Sequence, residues 1–213
     1  MSAPNITIVD YGLGNLMSVS QAVTHVGANP IVTSDPELIA AAERIILPGV
    51  GAFAVAMRFL QGLALDQALT AANSRGAPLL GICLGMQLLF SESLEFGQTA
   101  GLGFIDGTVL PVVGENQKGL GIRSTHIGWR NLDVADAGVN HPLLAETESD
   151  DSVYFVHSYS GRSTNPSHTL ATVDYAGVAM AAVVGMDNVL GVQFHPEKSG
   201  PAGLRILGNF CGR

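Results

Sequence analysis

Cys83 sits in "GICLGMQ", residues 81 to 87, between Gly81 and Gly85 and at the end of an apolar run. When a strand enters a helix through two glycines flanking a nucleophile, the corner is tight and its central residue is strained and projecting. A thiol so placed stands at the carboxyl end of a strand, where ligands of open α/β sheets bind. It also meets the first N–H groups of the helix, which favour a thiolate and a later oxyanion. The alternative for a free cysteine is a small buried hydrophobe. Cys211 lacks such flanks and reads as that second kind.

A nucleophilic cysteine needs a base, and the base needs a partner that orients it. Histidines stand at 25, 126, 141, 157, 168 and 195. His195 ends the apolar run "NVLGVQF" and Pro196 stops that strand, so its ring is expected at the same sheet edge as Cys83. Glu197 follows two positions on, on the same side of an extended backbone, where a carboxylate would accept the imidazole Nδ1–H and fix the tautomer. His25 reads as mid-helix and His141 and His168 as polar turns, all three as solvated surface. His157, inside "YFVHSY", reads as a core histidine, and His126 is left open. Acyl transfer also needs donors for the developing oxyanion. The N–H of Leu84 is one, by the geometry of the corner. The N–H of Val50, in the glycine-bounded "PGVG" of residues 48 to 51, is the second, with a plain structural turn as the competing reading. "GLGNLM", "GVGAFA" and "GLGIRS" each lack the third glycine of a dinucleotide cradle, and there is no phosphate-binding lysine motif.

These groups must be positioned by elements that the hydropathy pattern outlines. Short apolar runs at 5–10, 29–35, 44–49 and 77–82 alternate with helical stretches at 15–27, from 49 through Arg75, and in "LGMQLLF" (84–90). Apolar strands without alternation, separated by helices, predict an open, mostly parallel sheet with helices on both faces. The second half has strands in "FIDGTVLPVV", "SVYFVHSY", "TLATVDYAG", "VAMAAVVG" and "NVLGVQFH". The short steps from 169 to 194 predict antiparallel strands added to the sheet, before a last helix in "PAGLRILGNF". The stretch 111–125 reads as a loop. No repeat or linker divides the 213 residues, which are expected to form a single α/β domain over 1–213.

Composition narrows the partners. A formal charge of −8 disfavours nonspecific nucleic-acid binding and anionic membrane surfaces. "MSAPNITIVDYG" has neither a basic start nor a long apolar core, so no signal peptide is expected. No apolar run reaches the roughly 18 residues of a spanning helix. Two cysteines exclude a disulfide framework, no zinc-ligand spacing is present, and a cytoplasmic, reduced setting is expected.

Together, "GICLGMQ", "LPGVGAF" and "GVQFHPEKS" resemble the class I glutamine amidotransferases, whose signature is a cysteine corner followed far downstream by His-Pro-Glu. The resemblance spans essentially the whole chain. "DYGLGNLMSV", "IGWRNL" and "YFVHSY" are most similar to one branch, the glutaminase subunit of imidazole glycerol phosphate synthase, in histidine biosynthesis. It implies that Cys83, His195 and Glu197 hydrolyse glutamine through a glutamyl thioester, with Val50 and Leu84 holding the oxyanion. It implies further that Gln87 and Glu95 help hold the substrate's polar ends, along with Gly51 and the backbone at Ser158 and Tyr159, and that no metal or organic cofactor is required. Once the glutaminase fold is assigned, no stretch remains for an ammonia acceptor. The branch resemblance places that acceptor on the cyclase subunit of the synthase, whose (β/α)8 barrel forms a heterodimer with this chain. Asn15, Trp129, Tyr154 and Lys198 would face it. Where the branch usually has Pro-His-Met-Gly-Trp-Asn, this chain has "THIGWR", a departure at Thr125, Ile127 and Arg130 that touches the expected partner surface. A glutaminase feeding pyridoxal phosphate synthase shares the chemistry but not the "DYGLGN" and "IGW" segments. A cysteine peptidase, or a binding module without catalysis, would leave His-Pro-Glu or Cys83 unexplained.

Overall fold

The computed structural model describes residues 3–113 and 123–212. Most of the loop expected at 111–125, and part of "GLGIRS", lies outside the described residues.

The first half is a run of strand–helix units: β1 (Asn5–Val9), α1 (Leu16–His25), β2 (Asn29–Thr33), α2 (Pro36–Ala41), β3 (Ile45–Gly49), α3 (Phe53–Gly62), α4 (Leu65–Ser74), β4 (Leu79–Cys83) and α5 (Leu84–Leu88). Local chemistry sets several of these boundaries. Gly27, at φ +86°, follows the end of α1. The Asp35 carboxylate accepts the Glu37 N–H at 2.8 Å ahead of Pro36, the first residue of α2. The helical pattern expected through Arg75 is two helices, because Ala64 adopts a left-handed conformation (φ +55°) between them.

The second half holds β5 (Phe90–Ser93), β6 (Thr99–Ala100), β7 (Ile105–Pro111), β8 (His126–Asn131), β9 (Asp133–Val134), β10 (Ser152–His157), β11 (Tyr159–Ser163), β12 (Thr169–Tyr175), β13 (Val178–Met186), β14 (Val189–Val192) and α6 (Gly200–Cys211). Two expectations are corrected here. "LGMQLLF" is helical only to Leu88, and Phe90 already belongs to β5. "SVYFVHSY" is two strands, since β10 pairs with β8 and β11 pairs with β7 in a different sheet, and Ser158 is the joint.

The central sheet has the order β2-β1-β3-β4-β14-β13-β12-β9. From β2 to β14 every neighbour is parallel, and β13, β12 and β9 continue antiparallel. This is the mostly parallel α/β sheet with added antiparallel strands that the pattern predicts. Its inner strands are apolar on both faces. Ile46, Leu80 and Ile82 pack into one core with α1 and α6 residues such as Val19 and Ile206. Ile45, Leu47 and Leu79 pack into the opposite core with Phe53, Leu60 and Leu69 of α3 and α4. Burial on both faces is why these strands lack alternation. Because β3, β4 and β14 are adjacent and parallel, residues leaving their carboxyl ends emerge side by side. Among the described residues, no helix is long and apolar enough to cross a membrane.

Candidate active site

Cys83 is the last residue of β4 and directly precedes α5, at φ +55° and ψ −110°, a conformation non-glycine residues rarely hold. Close approach demands the two glycines around it. A Cβ on Gly81 would lie 2.6 Å from the Gly85 carbonyl and the Met86 nitrogen, and one on Gly85 would lie 1.8 Å from the Leu47 carbonyl oxygen. The helix that follows has five residues, so the corner faces one short turn rather than the end of a long helix dipole. The thiol is buried at 6% exposure, with the Gln193 amide donating toward it at 3.7 Å and the Val156 carbonyl 3.9 Å away.

His195 follows β14 at the same sheet edge and is 2% exposed. Its Nδ1 lies 2.8 Å from Glu197 Oε1, and both side chains are almost wholly buried. The two meet as the spacing suggests, but by a different route. Pro196 starts a short 3-10 turn over Pro196–Lys198, and that turn, not extended backbone, brings Glu197 back under the ring. Among the described residues the other ring nitrogen, Nε2, makes no hydrogen bond of ordinary geometry, yet it lies close enough to Cys83 to interact with it. Burial works against a charged imidazole here. Hydrogen bonding and attraction from Cys83 and Glu197 outweigh it and raise His195 to about 9. The backbone of His195 is clamped as well: its N–H donates to the Tyr154 carbonyl at 3.0 Å, and its carbonyl accepts from Ser199 Oγ at 2.6 Å. The same Ser199 Oγ accepts the Tyr154 N–H at 2.9 Å, tying this turn to β10.

A pocket of about 330 Å3 opens over these groups, lined by Val50, Gly51, Cys83, Leu84, Gln87, Glu95, Thr125, Val156, His157, Ser158, Tyr159 and His195. Every residue expected to act on the substrate or its oxyanion therefore borders it except Glu197, which stands behind the His195 ring. Gly49 is paired with Cys83 in the β3–β4 register, so the loop carrying Val50 and Gly51 (φ +106°) begins beside the corner. Gln87 is buried, and its amide nitrogen already donates to the Tyr159 carbonyl at 2.8 Å and to Gln193 Oε1 at 3.1 Å. Its own amide oxygen is what remains for a ligand. Glu95 Oε2 accepts the Phe53 N–H at 2.6 Å, capping α3 immediately after the 49–51 loop. The carbonyls of Ser158 and Tyr159 each accept a bond within the protein, from the Val112 N–H at 2.9 Å and from Gln87. A second cavity of about 250 Å3, between β7, β11, β12 and β13, contains none of these groups.

Asn15, Trp129, Tyr154 and Lys198 lie outside the pocket, around the same end of the sheet. Trp129 is half exposed, opposite Tyr154 in the β8–β10 register with ring centroids 5.8 Å apart. Asn15 precedes α1 without capping it through its side chain, α1 packs on the 196–198 turn, and Lys198 is exposed.

The other histidines sort differently from their sequence reading. His25 is exposed as expected, though it is the last residue of α1 rather than mid-helix. His141 and His168 are half-buried turn residues, not free surface. Nδ1 of His141 accepts the Leu143 N–H at 3.2 Å, and burial lowers its pKa. Nδ1 of His168 is 3.4 Å from Ser163 Oγ. His157 is buried with both nitrogens engaged, Nδ1 to the Tyr159 carbonyl at 2.8 Å and Nε2 to His126 Nδ1 at 3.0 Å. Residues that sequence reasoning missed are Gln193 and Ser199, and Thr125, expected at the partner surface, instead lines the pocket with its hydroxyl 2.8 Å from that of Ser158. Gln193 had a signal, being the one polar side chain in the buried run "VLGVQF". Ser199 had none.

The pattern of the family Glutamine amidotransferase class-I matches residues 7–212. The chain is 43% identical over 208 residues to imidazole glycerol phosphate synthase subunit HisH 1 of Legionella pneumophila (strain Lens), covering 97% of this chain and 98% of that one. It is 44% identical over 214 residues to the HisH subunit of Rhodospirillum rubrum, covering 96% and 97%. Among solved structures, PurLQS from Thermotoga maritima superposes with a TM-score of 0.70 at 20% identity, covering 99% of this chain and 98% of that one. The glutaminase domain of CTPS from Trypanosoma brucei does so with a TM-score of 0.66 at 16% identity, covering 99% and 95%. At such identities these two likenesses speak for the fold alone.

Proposed function

The chain belongs to the class I glutamine amidotransferases and to the family of HisH subunits of imidazole glycerol phosphate synthase, and we propose a division of labour for its pocket residues on that premise. Cys83 Sγ, as the thiolate whose proton His195 carries, attacks the side-chain amide carbon of glutamine. The carbonyl electron pair moves onto oxygen, which the N–H groups of Leu84 and Val50 receive. His195, charged at neutral pH and oriented by Glu197, gives its proton to the departing nitrogen, and ammonia leaves. The product is a glutamyl thioester. Water, deprotonated by the now neutral His195, attacks that thioester; the sulfur leaves as thiolate beside the recharged His195, and the product departs as glutamate, its acid proton passing to solvent. Gly51, Gln87, Glu95, Ser158 and Tyr159 border the pocket and hold the polar ends of glutamine, Gln87 through its remaining amide oxygen.

One observation carries this reading. Cys83 and His195 line one pocket at one sheet edge, with a buried carboxylate 2.8 Å behind the ring. The ammonia serves an acceptor on a second polypeptide, the cyclase subunit. A closed passage matters because ammonia in bulk water is protonated and no longer nucleophilic. The surface around Asn15, Trp129, Tyr154 and Lys198 receives that subunit, in a cytoplasmic heterodimer. Two measurements test the reading: labelling by a glutamine-analogue electrophile and glutamate release. Label should map to Cys83 and both signals should vanish in Cys83→Ala. Undiminished glutamate release by that variant would remove the sulfur from the mechanism.

A further inference from the structure

Tyr11, just beyond β1, is 1% exposed, and among the described residues its buried hydroxyl has no hydrogen-bond partner. An unpaired buried O–H is costly, and natural cores rarely keep one without reason. This hydroxyl lies against the backbone of Gly49. A Cβ at that position would be 2.4 Å from Tyr11 Oη, with Gly85 N and Leu84 Cβ each at 3.0 Å. Gly49 is the register partner of Cys83, so the phenol oxygen stands directly behind the corner. Burial first, and the charge of Cys83 second, push ionisation of the phenol far up, so the group keeps its proton and acts as a donor.

The nearest rotatable backbone is the Gly49–Val50 peptide. Val50 lies between two glycines, and Gly51 already holds a positive φ of +106°. We propose that Tyr11 is a positioning residue for this peptide: its hydroxyl donates to the Gly49 carbonyl oxygen when the peptide turns the Val50 N–H into the pocket. The inference rests on the assignment of Val50 as an oxyanion donor. The orientation that completes the oxyanion site is thereby the one that satisfies the orphaned hydroxyl. The absence of a side chain at residue 49 also gains a reason, since a Cβ would occupy the space the hydroxyl needs.

The test compares the full chain with Tyr11→Phe and Cys83→Ala, assayed for glutamine hydrolysis together with the cyclase subunit. Thermal unfolding of each chain is followed in parallel. Tyr11→Phe is expected to lower kcat about tenfold, with KM changed by less than about twofold. It should also raise Tm by about 2–4 °C, because the orphan is gone from the resting protein. Opposite signs distinguish positioning from packing, which would lose both. A kcat within about twofold of the parent, or a lowered Tm, overturns the proposal. If Cys83→Ala still hydrolyses glutamine, the assignment of the nucleophile fails and the Tyr11 proposal falls with it.

Discussion

His195 is held between two opposing effects, burial that disfavours its charge and two acidic neighbours that favour it, and the neighbours win, giving about 9. In the proposed reaction the charged ring is the acid that releases ammonia, so kcat should fall as pH rises through about 9. Glu197→Gln removes one of the two acidic neighbours. It should cost on the order of 10²-fold in kcat and move the alkaline limb to lower pH. Unchanged pH profiles for both proteins would leave Glu197 a structural residue. For stability, the raised value means a contribution fully present below the unfolded value of 6.5 and lost as pH climbs through 9. The neighbouring pair behaves in the opposite sense. His157 Nδ1 faces a carbonyl and must carry a proton, so its Nε2 accepts from His126 Nδ1, and His126 Nε2 is left without a partner among the described residues. Burial foremost, then repulsion from His157 and Arg130, lowers His126 to about 4. Burial, countered by the Tyr159 bond and reinforced by His195, does the same for His157. Their stability contribution is present above 6.5 and lost as pH falls through 4. Unfolding should take up on the order of two protons between about pH 6 and 5, measurable from urea melts at the two values. A flat stability across that range would show that these rings are not held neutral.

Among the elements, the corner at 81–85 tolerates least. Gly85 has no room for a Cβ beside the Leu47 carbonyl, and the obstacle is backbone of the neighbouring strand, which cannot swing aside. Gly85→Ala should therefore destabilise by about 3 kcal/mol or more, seen as a large drop in Tm together with lost turnover. Survival of normal stability would mean that β3 and α5 do not approach each other so closely. Nearby, Glu95 links two functions, capping α3 with one oxygen while bordering the pocket. Element boundaries were only partly legible in the sequence. Gly27 and the Asp35-Pro36 pair marked helix ends through their own backbone preferences. Leu88 to Phe90 did not, because an apolar run fits a buried helix or a buried strand equally well until its neighbours are known. Likewise, no residue type in "SVYFVHSY" announces that Ser158 divides two sheets; β8 and β7, pairing on either side of it, decide that.

At the scale of the whole molecule, the exposed Trp129–Tyr154 pair belongs to the same β8–β10 ladder that ends in the His126–His157 contact beside the pocket. A partner seated on the aromatic pair therefore reaches the substrate site through one continuous element. Trp129→Ala should weaken association with the cyclase subunit by about 30-fold or more, as for a central aromatic anchor, while leaving the chain's own Tm near its parent value. Titration of the two subunits would detect it, and unchanged affinity would move the docking surface elsewhere. Glutamine hydrolysis by the chain alone should be weak and should rise when the barrel subunit holds its ligand. Full turnover by the lone chain would remove the reason for a two-state Gly49–Val50 peptide.

The amino-acid sequence alone determined what depends on near neighbours. The glycines about Cys83 impose a strained corner, Pro196 starts the turn that follows His195, although the strand before it already ends at Val192, and unbroken apolar runs between helices require a sheet buried on both faces. Tertiary structure alone decided what those pieces meet. Cys83 and His195 share an edge because β4 and β14 became parallel neighbours across half the chain. Gln193, Ser199 and Tyr11 acquired partners, or the lack of one, only through that packing. Short-range preferences act through backbone sterics over a few residues, whereas strand order is chosen by the burial of the whole core. No local pattern encodes which distant side chain will fill the space behind a given glycine.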